Sequence, residues 1–300
     1  MSVRSPLMKK IHVLRSSDRL SLVLPITLMI LVILAPCSSE ATSQKNPTNN
    51  SQTTSSPASS LAASTSVSSS TYQPTPGPYT VEVADNLTLR KSNGQPLPLK
   101  IYYPQGKGPF PIIIFSHGGG GSKDFYAPLG EYWASHGYIS IHPTHADSVS
   151  LRGKEFMREL GDYAMNNSQG WIERATDISL IIDSLKQLEQ QVPQLQGRMD
   201  LNRIGVGGHS FGAYTAQLVG GATIDIPNGP KHKSLADKRV KAILLMSPQG
   251  EGQQGLTASS WQSWKLPMMV MTGTNDRIGG GEDRNGAGNP LMQLLQEINT

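Results

Sequence analysis

The sequence predicts an α/β domain whose mostly parallel sheet carries helices on both faces, and three observations predict it. From Tyr79 onward, short apolar runs alternate with longer stretches of helical periodicity. Within "PIIIFSHGGGG", the residues Ile112 to Phe115 form a continuous apolar run, as a strand covered on both sides requires. "IGVGGHSFGAYTA", Ile204 to Ala216, passes from branched residues through glycines into helix formers around a single serine.

The elements follow in order. "YTVEVADNLTLR" and "LPLKIYYP" alternate in polarity and read as an antiparallel pair of half-exposed strands. After the Ile112 strand, "DFYAPLGEYWASHG" reads as a helix stopped at Gly137, and "YISIHPTHA" as the next strand. An irregular insertion is expected from about Ser148 to Gly170. In "WIERATDISLIIDSLKQLEQQ", Ile172, Ala175, Ile178, Ile182, Leu185 and Leu188 recur at helical spacing as one apolar stripe. Strand "RIGVGG", helix "FGAYTAQLVGG", strands "VKAILLMSP" and "MMVMTGTND", and an amphipathic piece "NPLMQLLQEI" complete the pattern. About 220 residues suffice for the core of one such domain.

Residues 1–78 have a different composition. Arg4, Lys9, Lys10, Arg15 and Arg19 precede the uncharged apolar stretch Leu20 to Ala35, the pattern of a secretory signal, with a retained membrane anchor as the competing reading. The single cysteine, Cys37 in "ILAPCSS", suits a lipidated N-terminus; a cut after Ala41 is the alternative. One cysteine makes no intramolecular disulfide, so burial must hold the fold. Residues 38–78 are Ser, Thr, Asn, Gln and Pro with few large apolar side chains, and read as a disordered tether. The expected domains are therefore 1–37 signal, 38–78 tether and 79–300 α/β domain, on the extracytoplasmic side as a secreted or lipid-anchored protein. The formal charge of +4 belongs to the signal: residues 1–37 hold five of 26 Lys and Arg and one of 22 Asp and Glu, leaving 21 of each. A nucleic-acid partner has no electrostatic support.

"GHSFG", Gly208 to Gly212, satisfies G-x-S-x-G between an expected strand and an expected helix, so Ser210 is the candidate nucleophile. A serine hydroxyl needs a base to take its proton, and the oxyanion formed on attack needs preorganised donors. One donor is the N–H of Phe211, directly after the serine. The glycine loop "SHGGGG" offers the other, for which Gly119 is chosen. Asp276, close after the strand "MMVMTG", is the candidate acid; Asp225 lies too near the helix after Ser210 and Asp283 lies deep in a glycine-rich loop. His142, His145 and Asp147 invite a metal reading, but nothing in their spacing makes them converge, so no metal is expected. His145 follows the end of a parallel strand, where ligands gather, and is a candidate for lining the substrate site.

"FSHGGGGSKDFYAPLGEYWASHGYISIHPTHADS", "WIERATDISLIIDSL", "GHSFGAYTA" and "GTNDR" together resemble the α/β-hydrolase superfamily. Within it they are similar to the branch of platelet-activating-factor acetylhydrolase, dienelactone-hydrolase-like and chlorophyllase-like esterases. The resemblance covers Tyr79 to Arg277. It implies hydrolysis of a carboxylic ester through an acyl-enzyme, with Ser210 as nucleophile, Asp276 as orienting acid, Gly119 and Phe211 as oxyanion donors, a small-molecule ester as partner and no cofactor.

The family pattern also places a histidine one helix and one strand after the acid, and the sequence departs from it there. All seven histidines (His12, His117, His136, His142, His145, His209 and His232) precede Asp276, and the last strand is not evident. The elbow, the glycines and Asp276 persist, so the expectation is a truncated esterase rather than a ligand-binding pseudoenzyme; a peptidase on the same fold is the third reading. The insertion 148–170 and the Trp261 to Trp264 region are expected to wall the pocket.

Overall fold

In the computed structural model, which describes residues 12–14 and 75–272, each strand expected between Tyr79 and Met271 is present. They are β2 (Val81–Arg90), β3 (Pro96–Pro104), β4 (Phe110–Ser116), β5 (Ile139–Pro143), β6 (Met199–His209), β9 (Val240–Met246) and β10 (Met268–Met271). With β1 (His12–Leu14) they form one sheet of order β1-β10-β9-β6-β4-β5-β3-β2. The pairs β2/β3 and β3/β5 are antiparallel and all others are parallel. A separate ladder joins β7 (Thr223–Ile224) to β8 (Lys233–Ser234). Apart from His12–Leu14 and residues 75–78, the segments read as signal and tether lie outside the described residues, as do Cys37, Asp276 and "NPLMQLLQEI".

The strands sit where burial demands. Ile112, Ile114 and Phe115 of β4 are buried beside Ile204 and Val206 of β6, paired as Ile112 with Ile204 and Ile114 with Val206. This is the central position that a continuous apolar run fits. The same register sets Ser116, the last residue of β4, opposite Gly208, and Gly208 opposite Leu245 of β9.

Two helices follow their sequence signals closely. α1 (Ala127–Ser135) begins with a proline in its first turn, where a missing N–H costs nothing, and ends just before Gly137 at φ +87. It packs on β3 and β5. α6 (Phe211–Gly220) is buried along its whole length. Between them the structure corrects the expectation of an irregular insertion: residues 149–166 hold α2 (Val149–Arg152), a 3-10 turn (Lys154–Arg158) and α3 (Leu160–Asn166). Apolar residues such as Val149, Phe156, Leu160 and Tyr163 occur there, but Gly153 and Gly161 break the stretch into short pieces, so an apolar-stripe reading finds no sustained period to follow.

The long stripe from Trp171 to Leu188 is divided as well. α4 (Ser168–Asp183) is capped by the Asn167 side chain on Gly170 N–H and stops at Ser184, after which α5 (Leu185–Gln191) continues the chain. Both helices bury the expected residues Ala175, Ile178, Ile182, Leu185 and Leu188, whereas Ile172 is only half-buried and Trp171 takes the inner position. Crossing from β4 to β5 and then back from β5 to β6 reverses direction across the sheet, and right-handed crossovers therefore place α1 and the α4–α6 layer on opposite faces. The mostly parallel sheet flanked by helices is that of an α/β-hydrolase fold.

Leu188 is fully buried while its neighbour Gln187 on α5 is exposed. Leu188→Ala is expected to lower unfolding stability by roughly 2–5 kcal/mol and Gln187→Ala by less than about 0.5 kcal/mol, read from urea midpoints at constant m.

Candidate active site

Ser210 is the one residue between β6 and α6, and its backbone is bent to φ 52, ψ −119, a region that residues with a side chain rarely occupy. The bend is over-determined by its neighbours. Ser210 N–H donates to Met246 O at 2.9 Å, and Ser210 O accepts the first helical bond from Tyr214 N–H at 3.0 Å. A Cβ on Gly208 would lie 2.2 Å from the carbonyl carbon of Gly212, and one on Gly212 would lie 1.9 Å from Ser116 O. Neither approach admits a side chain, so the two glycines of G-x-S-x-G are dictated by backbone meeting backbone. Ser210 remains partly exposed at the C-terminal edge of the parallel strands.

The glycine loop lies against this elbow. A Cβ on Gly118 would be 3.2 Å from His209 Nδ1, whose ring bonds the Tyr126 hydroxyl at 2.8 Å. Gly119 is exposed, and Gly120 sits at φ +73 with its N–H donating to Asp147 Oδ2 at 3.2 Å. Leu160 of α3 approaches both Gly119 and Gly120, so the inserted helices do cover the loop. The tryptophans do not wall it. Trp261 is buried with Nε1–H donating to Gln217 Oε1 at 2.9 Å, and Trp264 packs against Gly220 while donating to Leu266 O at 2.7 Å. The expectation for that region is corrected: these rings complete the core beside α6 because their indole N–H groups find acceptors there.

Beneath the loop lies a cluster of charges that the apolar-stripe reading missed. Arg174 of α4, only 2 % exposed, grips Asp147 with two bonds, Nε to Oδ1 at 2.8 Å and Nη2 to Oδ2 at 2.9 Å. Its Nη1 donates to His117 O at 2.8 Å and to Ser116 Oγ at 3.3 Å, and its Nη2 reaches Gly118 O at 3.4 Å. The guanidinium carbon also lies 4.3 Å from the centre of the Phe211 ring. The Arg174 charge beside Asp147 holds that carboxyl well below the usual carboxylate range despite burial. Arg174 and Asp177 fall at buried stripe positions of α4, and a charge at such a position must be paired, which is the signal that could have found them.

The position of His145 corrects the expectation that it lines a substrate site. It has no exposed surface, and both ring nitrogens are engaged: Nδ1 with Asp177 Oδ2 at 2.8 Å and Nε2 with Ser116 Oγ at 2.9 Å. Its backbone N–H donates to His117 Nε2 at 3.0 Å, so the neutral His117 ring carries its proton on Nδ1, which donates to Gly118 O at 2.6 Å. The chain Ser116–His145–Asp177 has the hydrogen-bond order of a catalytic triad, but the Ser116 hydroxyl is fully buried and cannot meet a substrate. Lys91 completes the cluster with bonds to Glu173 at 2.8 Å and Asp177 at 3.1 Å. His142 sits apart, bonded to Ser140 Oγ at 2.8 Å and edge-on to Tyr102. Phe211 is buried, while its N–H opens α6 and so has no partner within the helix. Among the described residues no side chain hydrogen-bonds Ser210 Oγ.

Burial holds His117, His145 and His142 neutral, pushing the first two well below the ordinary imidazole range and His142 down to about 3, while burial raises Asp177 to about 6. Below pH 6.5 the unfolded chain takes up protons that these rings refuse, so each ring withdraws roughly 1.4 kcal/mol of stability per pH unit as pH falls. Asp177 acts in the opposite sense between about pH 6 and 4, where the folded state holds the extra proton. Three groups outweigh one: the urea midpoint is expected to fall between pH 7 and pH 5 at constant ionic strength, and a flat profile would contradict the neutral buried rings.

Comparison with known proteins agrees with this arrangement. Residues 69–225, more than half of the chain, match the chlorophyllase family. Platelet-activating factor acetylhydrolase of Bos taurus is 30% identical over 137 residues, covering 35% of this chain and 31% of that protein. The enzymes of the same name from Canis lupus familiaris and Cavia porcellus are 27% and 26% identical over 136 and 135 residues, each covering 35% of this chain and 31% and 30% of the relative. The chain thus spans less than a third of the length of these relatives. With its strand-elbow-helix and parallel sheet in place over the matched residues, the chain belongs to the chlorophyllase family, on an α/β-hydrolase fold.

Proposed function

We propose that the chain is a serine hydrolase of carboxylic esters. The observation that carries this reading is the strained, partly exposed Ser210 beside a glycine loop, in a family and among relatives whose names are those of ester-cleaving enzymes. Ser210 Oγ attacks the acyl carbon and loses its proton to a base, while negative charge collects on the former carbonyl oxygen. The N–H groups of Phe211 and Gly119 hold that oxygen. Collapse of the tetrahedral species breaks the C–O bond of the ester, releases the alcohol with a proton from the base and leaves an acyl-enzyme, which water then hydrolyses.

Asp276 is the proposed acid. Supporting it, β10 runs parallel to β9 and ends at Met271, so the chain leaves the sheet at the same edge as Ser210. The base is assigned to none of His117, His142 and His145, whose rings are buried and bound elsewhere. Apolar Leu160 and Val149 beside the loop favour an ester with an apolar part. The basic and apolar composition of residues 1–37 and the lone Cys37 support export and attachment at the cell envelope; no helix among the described residues is long and apolar enough to cross a membrane.

The absence of a hydrogen-bonded partner for Ser210 Oγ among the described residues favours a second reading, a ligand-binding domain without turnover. A fluorophosphonate probe separates the two. The hydrolase reading expects labelling at Ser210 that is lost in Ser210→Ala, together with hydrolysis of p-nitrophenyl acetate; an unlabelled protein that still binds a non-hydrolysable ester analogue would establish the second.

A Cβ on Gly119 meets only Leu160, at an ordinary 3.6 Å. Gly119→Ala is therefore expected to keep most of the activity, whereas Gly119→Pro, which removes the N–H, is expected to lower kcat about 10²- to 10³-fold.

A further inference from the structure

We infer that Arg174 is a positioning residue for the oxyanion site: its guanidinium holds the carbonyls of His117 and Gly118, leaves the Gly119 N–H turned outward, and ties that loop to the residue after Ser210. The inference rests on the hydrolase reading of Ser210 and deepens it. A trans peptide unit is planar, so its C=O and N–H point in opposite directions. The carbonyl of His117 accepts Arg174 Nη1–H at 2.8 Å. The carbonyl of Gly118 accepts His117 Nδ1–H at 2.6 Å, Gly121 N–H at 3.1 Å and Arg174 Nη2–H at 3.4 Å. Both oxygens are drawn inward to the buried cation, and the N–H groups of the same two peptide units, those of Gly118 and Gly119, face the other way.

The Gly118 N–H turns to the Tyr126 hydroxyl, and the Gly119 N–H meets no acceptor among the described residues. An exposed backbone donor whose peptide is fixed by its own carbonyl is suited to an anion or a polarised oxygen. Carbonyls that accept charged donors also make their own N–H groups stronger donors, because bonds in a chain polarise one another.

The far side of Arg174 supplies the second link. Its cation lies 4.3 Å from the Phe211 ring centre, and the Phe211 N–H is the other proposed donor. Asp147 holds the fork from behind with two bonds and takes Gly120 N–H as well, so one ion pair bonds His117, Gly118 and Gly120, the three loop residues on either side of Gly119. A lysine at 174 keeps the charge but, as a compact ammonium on a flexible stem, cannot occupy these positions together.

The test compares the wild-type protein with Arg174→Lys and Phe211→Leu. It reads kcat and KM for p-nitrophenyl acetate, and the reversible and covalent constants for a fluorophosphonate. In the covalent step the Ser210 Oγ–P bond forms as the hydroxyl proton passes to the base, the P–F bond breaks and fluoride departs, with the phosphoryl oxygen in the oxyanion site. Circular dichroism sets a temperature at which each variant is folded. Arg174→Lys is expected to lower kcat and the covalent rate about 100-fold while KM and reversible binding stay within about threefold, and Phe211→Leu to lower kcat roughly 10-fold. If Arg174→Lys does not fold, Phe211→Leu decides alone, and an unchanged kcat there overturns the inference. A labelled wild type alongside an Arg174→Lys protein of unaltered kcat, or one altered only in KM, also overturns it. A wild type that neither labels nor hydrolyses the ester overturns the hydrolase reading itself, and the inference with it.

Discussion

A contact between two stretches of bare backbone organises this molecule. Gly212, in the first turn of α6, rests on the carbonyl of Ser116 at the end of β4, and Gly208 rests on Gly212. Any side chain at either glycine would drive the helix off the sheet, and the register that sets Ser116 opposite Gly208 would go with it. Because the helix sits so close, the residue between strand and helix has no relaxed conformation available. Ser210 is held at positive φ by packing on both sides. The partly exposed Ser210 is thus a consequence of close packing elsewhere, and α6 is correspondingly buried along its whole length.

The charged cluster under the glycine loop serves that same junction. Lys91, Asp177, Arg174 and Asp147 are each at least nine-tenths buried, and desolvating four charges is unfavourable unless every one is paired. They are: Lys91 with Asp177 and Glu173, Arg174 with Asp147 in a two-bond fork, and Asp177 additionally with His145. A packed apolar cluster of equal volume could be as stable. It could not, however, bond the backbone of a loop made of glycines, which has no side chains of its own to be held by. Polar bonds to its carbonyls are the means left to give such a loop one shape.

Two serine hydroxyls stand near each other at this end of the sheet, and they divide the features expected of a nucleophile. Ser116 has the imidazole and the carboxylate but no access; Ser210 has the bend, the access and the helix N-terminus. A substrate must reach the reacting oxygen, so exposure decides between them. Hydrogen-bond distance alone would point to Ser116, and exposure to Ser210, the nucleophile of the proposed reading. The three rings His117, His142 and His145 are held neutral for the same reason that they are out of reach: the low-dielectric interior disfavours their charged form.

The alternating and continuous apolar runs announced the strands, the pentapeptide Gly208 to Gly212 announced the elbow, and Gly137 announced the end of α1, because each of these depends on the neighbours a residue has along the chain. The helices within 149–166 were not legible, since two glycines break that stretch into pieces too short to carry an apolar period. Nor were the break at Ser184 and the inward turn of the two tryptophans. The roles of Arg174, Asp147 and His145 were out of reach for a deeper reason. Residues distant in sequence meet there, 27 positions apart for Arg174 and Asp147 and 32 for His145 and Asp177. Sequence alone determined which segments become strand, turn and helix, through local sterics and burial. Only the folded sheet decided which charges meet beneath the loop and which of two serines faces solvent, because pairing and exposure are properties of three-dimensional proximity.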